Sequence, residues 1–96
     1  MTNKIQNSMT KFTSSIWNTY ATDYRLQTNE PDLAMKLLRD QFSIISYSQN
    51  SDHWIFSLSF ETDNGAIQFL KNLTNKIPVQ IDDCWVVRYN RIVNTK

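Results

Sequence analysis

The sequence has one glycine, two prolines and one cysteine in 96 residues. One glycine leaves no glycine-rich loop to cradle a phosphate. Two prolines leave helices and strands free to run with few forced breaks. A lone Cys84 cannot close an internal disulfide, which fits a reducing, cytoplasmic setting. No apolar run approaches the roughly 20 residues of a membrane span, and the opening stretch has no apolar core of a secretory signal, so no membrane partner is expected. Neither sign of charge dominates: ten Lys and Arg stand against nine Asp and Glu, for a net charge of +1. That excludes a strongly basic arm or an acidic tail.

What is present is a globular composition, 41% apolar and 20% charged, in a chain that makes one domain with one core. The bias towards Asn, Ile, Lys, Ser and Thr points to an AT-rich genome, as in a bacterium, a phage or a mobile element. Two stretches have helical spacing. In "EPDLAMKLLRDQF", Leu33, Leu37 and Leu38 form an apolar stripe with Ala34 beside it. Pro31 suits the first turn there, and Thr28 or Asn29 the cap. In "TDNGAIQFLKNLTNKIP", Ala66, Phe69, Leu70, Leu73 and Ile77 share a face, Thr62 or Asp63 can cap the start, and Pro78 ends it.

The remaining segments alternate as strands: "TYATDYRLQT", "SIISYSQ", "HWIFSLSFE" and "VQIDDCWVVRYNRIV". The order strand, helix, strand, strand, helix, strand resembles the ferredoxin-like βαββαβ arrangement. That resemblance implies an α+β sandwich, with a four-stranded antiparallel sheet and two helices on one face. Residues 1–15 read as an N-terminal extension, a short helix or disorder up to about Lys11, and residues 16–96 as the βαββαβ core. Acylphosphatases share this general fold, but the loop after the first strand here, "LQTNEPD", offers acid where a phosphate needs amide donors and cations.

Strand parity decides which aromatic rings can be functional. Trp54, Phe56, Leu58 and Phe60 form one alternating set, and His53, Ile55, Ser57 and Ser59 the other. Burying the first set gains roughly 1.5–3 kcal/mol per side chain. Burying the second strands hydroxyls at roughly 1–3 kcal/mol each where no partner is found. The rings therefore belong in the core. An RNA-recognition motif with exposed aromatics on this strand is disfavoured.

No catalytic, metal or cofactor site is expected. Cys84 and His53 are the one thiol–imidazole pair, and the ferredoxin-like strand order keeps their strands about 9–10 Å apart. Asp82 and Asp83 are adjacent in sequence and point to opposite faces of a strand. No metal-ligand spacing occurs.

Charge placement is more telling. Before Asp23 the only charged residues are Lys4 and Lys11, and after Asp83 they are Arg88, Arg91 and Lys96. If the first and last strands are antiparallel neighbours, Lys4, Lys11, Arg91 and Lys96 gather at one corner, with Glu30, Asp32, Asp82 and Asp83 at the other. The helix-free sheet face should show Trp17, Thr19, Ala21, Arg25, Ile55, Ser57 and either Val86 and Arg88 or their neighbours, unless Ile5, Met9 and Phe12 fold over it.

The chain thus reads as a non-catalytic binding module. Its composition is similar to that of small phage or mobile-element proteins that bind and block a host complex, anti-CRISPR proteins among them. A protein partner is expected first, then single-stranded or duplex nucleic acid, with homodimerisation through an open sheet face as a further outcome. Trp17, Arg25, Ile55, Arg88, Arg91 and Lys11 are the expected contacts.

Overall fold

Six strands and two helices follow in the order β1 (Gln6–Tyr20), β2 (Asp23–Thr28), α1 (Pro31–Arg39), β3 (Ser43–Ser48), β4 (His53–Ser59), α2 (Asp63–Thr74), β5 (Val79–Ile81) and β6 (Cys84–Thr95). The computed structural model describes residues 6–48 and 52–95, with side chains for 9–48 and 52–92. The strands form one antiparallel sheet in the order β3-β4-β2-β1-β6-β5. The class is α+β, as expected, but the sheet has six strands where four were read.

Two tight turns account for the difference. The stretch read as one strand from Thr19 to Thr28 doubles back at Ala21, which takes a left-handed φ of 52°. The Asn18 side-chain amide holds that turn by donating to the carbonyls of Ala21 and Asp23, both at 3.0 Å. The segment before it becomes β1, so the supposed extension lies inside the sheet from Gln6 onward; residues 1–5 lie outside the described residues. The last predicted strand likewise splits at Asp82, whose φ is 54°. Asp82 and Asp83 are thus the turn between β5 and β6, not two residues on opposite faces of a strand. Asp and Asn tolerate this left-handed conformation better than most residues, so such a turn forms without glycine.

The second turn also sets the topology. After α2 the chain enters at the outer edge as β5 and reverses into β6. Both β2 and β6 run antiparallel to β1, which lies between them. The two therefore run parallel to each other, unlike the first and last strands of a ferredoxin-like sheet.

Phe56, Ile16, Leu26, Leu37 and Leu70 are fully buried, and Tyr24, Ala34, Leu58, Ala66 and Val87 complete one cluster between the sheet and both helices. Trp54 and Phe60 are half-buried against it, so the aromatic set of β4 faces the helices as its parity requires. In α1 the stripe is Ala34 and Leu37, while Leu38 is exposed. Helix α2 is capped by the Thr62 hydroxyl, which accepts from the Gly65 N–H at 3.2 Å. It ends at left-handed Asn75, before Pro78, which leaves Ile77 exposed. Neither expected cap of α1 acts as one: Glu30 holds the N-cap position without a side-chain bond. Thr28 accepts from the Glu30 N–H and Asn29 from the Thr13 N–H, tying the entry of α1 to β1. No helix among the described residues is long and apolar enough to cross a membrane.

Candidate functional site: the helix-free face of the sheet

Among the described residues, neither helix packs on the other face of the sheet. Phe12 points into the helix side and is buried, and Met9 shares the helix-free face with Lys11 by strand parity and is exposed, so neither folds over the sheet. Ile5 lies outside the described residues. The register fixes what this face presents. One row across the sheet is Ile81, Cys84, Trp17, Arg25 and Ser57. The next is Val79, Val86, Ser15, Gln27 and Ile55. Beyond them Thr13 lies opposite Arg88, and Lys11 opposite Asn90.

Five of the six expected contact residues share this face. Lys11 and Arg88 are exposed, whereas Trp17, Arg25 and Ile55 are half-buried. The Arg25 guanidinium lies across the sheet, donating to the Tyr24 carbonyl at 3.1 Å and to Ser57 Oγ at 3.4 Å. Arg91 is the exception. Its neighbour in register is Thr10, and its guanidinium turns to the helix side, donating to Glu30 and, at 3.0 Å, to Asp32. It also lies 5.7 Å from the Phe12 ring centroid.

That pairing corrects the expected charge map. Glu30 and Asp32 sit with the basic end of β6, because the turn from β2 into α1 brings them to Arg91. Only the Asp82–Asp83 turn lies at the other end, joined by Asp23 at the start of β2. Lys4 and Lys96 lie outside the described residues. Burial pushes the Glu30 carboxyl above its ordinary value; the Arg91 charge opposes that shift and the Asp32 charge adds to it.

The polarity of the two faces follows from strand composition. The 15 residues of β1 and the 12 of β6 include no Asp or Glu, and they pair with each other along their length. On the helix side Arg91 is ion-paired and Lys76 lies 5.5 Å from the Tyr89 ring centroid, while Lys36, Arg39 and Lys71 stand exposed on the helices. The interior of the helix-free face carries Lys11, Arg25 and Arg88, with Thr13, Ser15 and Gln27 and the apolar Trp17 and Val86 between them.

The thiol–imidazole pair is farther apart than expected. Three strand spacings, about 14 Å, separate β6 from β4, and His53 lies four positions along β4 from the row containing Cys84. No group of three or more His, Cys, Asp or Glu among the described residues could hold a metal ion.

Apolar exposure at the sheet edges was not read from the sequence. On β5 and just before it, Ile77, Val79 and Ile81 are exposed beside a shallow groove of about 320 Å³ that Lys76, Val86 and Arg88 help to line. On β3, Ile44, Ile45 and Tyr47 are exposed. The Pro78 break before a three-residue strand and the complete lack of charge in "SIISYS" are the signals that could have revealed them.

Comparisons of the chain with protein-family models, with curated proteins and with solved structures found no match.

Proposed function

We propose that the chain is a small non-catalytic binding module that regulates or blocks a host macromolecular complex by laying the helix-free face of its sheet on it. One observation carries this reading. Among the described residues no helix covers the face, and it combines Trp17, Arg25, Ile55, Lys11 and Arg88 with no acid between them. A polar surface on which three cations outnumber its one strand carboxylate, Asp23 beside Arg25, draws an acidic partner by steering and complementarity. Small size and the phage-like residue bias favour action by occupancy, in which a bound module denies its site to another ligand.

The test compares two charge reversals in otherwise identical tagged proteins. Arg88→Glu changes the helix-free face, and Lys36→Glu changes the exposed side of α1. Partner complexes are recovered from host lysate at physiological salt, and their composition is determined. Loss of one defined complex with Arg88→Glu but not with Lys36→Glu supports the reading. Equal recovery with both variants rejects the helix-free face as the docking surface.

A further inference from the structure

We infer that the element this face recognises is a single-stranded nucleic acid, its phosphates placed on Lys11, Arg88 and Arg25 and one unpaired base stacked on Trp17. The inference rests on the helix-free face being the docking surface, and it names the occupant.

The cations form a track. Lys11 and Arg88 are on adjacent strands, offset by two positions, because Arg88 pairs with Thr13. Arg25 lies across β1 from β6, four positions along, because it pairs with Trp17. With strands about 4.8 Å apart and a rise of about 3.4 Å per residue, Lys11 and Arg25 are about 21 Å apart. A chain of phosphates can follow that line, with a footprint at the lower end of the roughly 4–16 nucleotides known for single-strand sites on β-sheet modules. No carboxylate of β1 or β6 opposes it, since neither strand has one.

The side chains between the cations suit a nucleic acid. Thr13, Ser15 and Gln27 lie there, with Trp17 and Val86 beside them in register. The hydroxyls and the amide can donate to phosphate and sugar oxygens, and the Trp17 ring offers a surface to a base. Exposed apolar side chains stand on the edge strands β3 and β5 and at the far ends of the paired strands, where Met9 lies opposite Ile92. Polar, positively charged and hydroxyl-rich surfaces are the rule for nucleic-acid contacts. The observations thus place nucleic acid ahead of a protein surface, reversing the order expected from sequence alone. Single strand is favoured over duplex because the cations lie on a sheet face, not on an element that enters a groove, and because a Trp17 ring half-sunk in that face can stack only on a base free of its partner.

Fluorescence anisotropy with a labelled oligothymidylate about 12 nucleotides long tests the inference. Three phosphate contacts predict a slope of log K against log salt of about −2, and each of Lys11→Ala, Arg25→Ala and Arg88→Ala should reduce it by about 0.7. Trp17→Ala should weaken binding about 5- to 150-fold, and Trp17→Phe, which keeps a stacking ring and most of the packing, should recover most of the loss. Lys36→Ala and Lys71→Ala, on the helices, should change nothing.

Absence of binding at low salt overturns the inference, as does binding indifferent to Lys11→Ala and Arg88→Ala. Competition by duplex DNA as effective as by single strand also overturns it. If the oligonucleotide fails while a host complex is still lost with Arg88→Glu, the nucleic-acid assignment falls and the docking face stands. If the complex is unaffected as well, both fall.

Discussion

The Tyr24 hydroxyl donates to the Asp63 carboxylate at 2.5 Å, tying the central strand β2 to the first turn of α2. The bond to Asp63, then burial, then the nearby negative charge push the Tyr24 phenol up to about 12. A folded-state value above the unfolded one means the contribution is whole below pH 10 and is lost as the pH rises towards 12. Tyr24→Phe should cost about 1.5–3 kcal/mol at neutral pH, as expected for a bond to a charged acceptor. It should also flatten the alkaline decline. Urea midpoints at pH 8, 10 and 11.5 check both; a mutant with the same alkaline slope as the parent contradicts the assignment.

A second pH effect has the sign opposite to that of most carboxylates. Burial raises Glu30, with Arg91 opposing and Asp32 reinforcing the shift, so the folded state holds this proton more readily than the unfolded chain. Its contribution therefore improves as the pH falls through the window just above the ordinary carboxylate range, and is lost as the pH rises. Arg91→Ala removes the opposing charge and leaves a buried carboxylate unpaired. The mutant should be destabilised most at pH 7 and least near pH 4, and Glu30→Gln in the same background should restore part of the loss at pH 7. Denaturant midpoints across that range decide it; a pH-independent deficit excludes Glu30 as the cause.

The two predictions draw on parts of the fold that the sequence revealed unequally. Periodicity found both helices and the parity of β4, because burying Phe56 and Leu58 outweighs any alternative for those residues. It missed the turns at Ala21 and Asp82, since glycine is the usual mark of a left-handed turn and the one glycine, Gly65, lies in α2. Missing them merged two hairpins into two strands and set β1 aside as an extension. The face itself was legible: Trp17, Arg25, Ile55, Arg88 and Lys11 follow from parity once a strand is assumed. Arg91 was not, because its partners Glu30 and Asp32 lie about sixty positions away, and only the fold brings them together.

Edge strand β3 is six residues long, exposed throughout and uncharged. The other edge, β5, has three residues and follows Pro78, which blunts it. β3 is thus the edge open to pairing with another chain. Ile45, half-exposed where the β3–β4 register shifts, can take a charge at little cost to the core. Ile45→Lys should suppress concentration-dependent association while changing the unfolding free energy by less than about 0.5 kcal/mol. Light scattering over a concentration series reads the first and urea melts the second. Association unchanged by the lysine would locate the contact elsewhere.

Ile55 and Phe56 are neighbours in sequence and lie on opposite faces. Phe56 is fully buried at the centre of the core, between the rows of Leu26 and Ile44, whereas Ile55 is half-buried on the helix-free face between Gln27 and Ser46. Phe56→Ala should cost about 3–5 kcal/mol, through lost burial and the cavity left behind. Ile55→Ala opens no enclosed cavity and should cost about 1 kcal/mol, near the centre of the distribution for point mutants. Binding should show the reverse order. Folded Phe56→Ala protein should keep its affinity, since the ring never reaches the docking face, and Ile55→Ala should lose some by altering it. Chemical denaturation paired with anisotropy titration on the same samples separates the two effects. A Phe56→Ala mutant that is stable but binds poorly would mean that the aromatic set of β4, not the Trp17 row, meets the ligand.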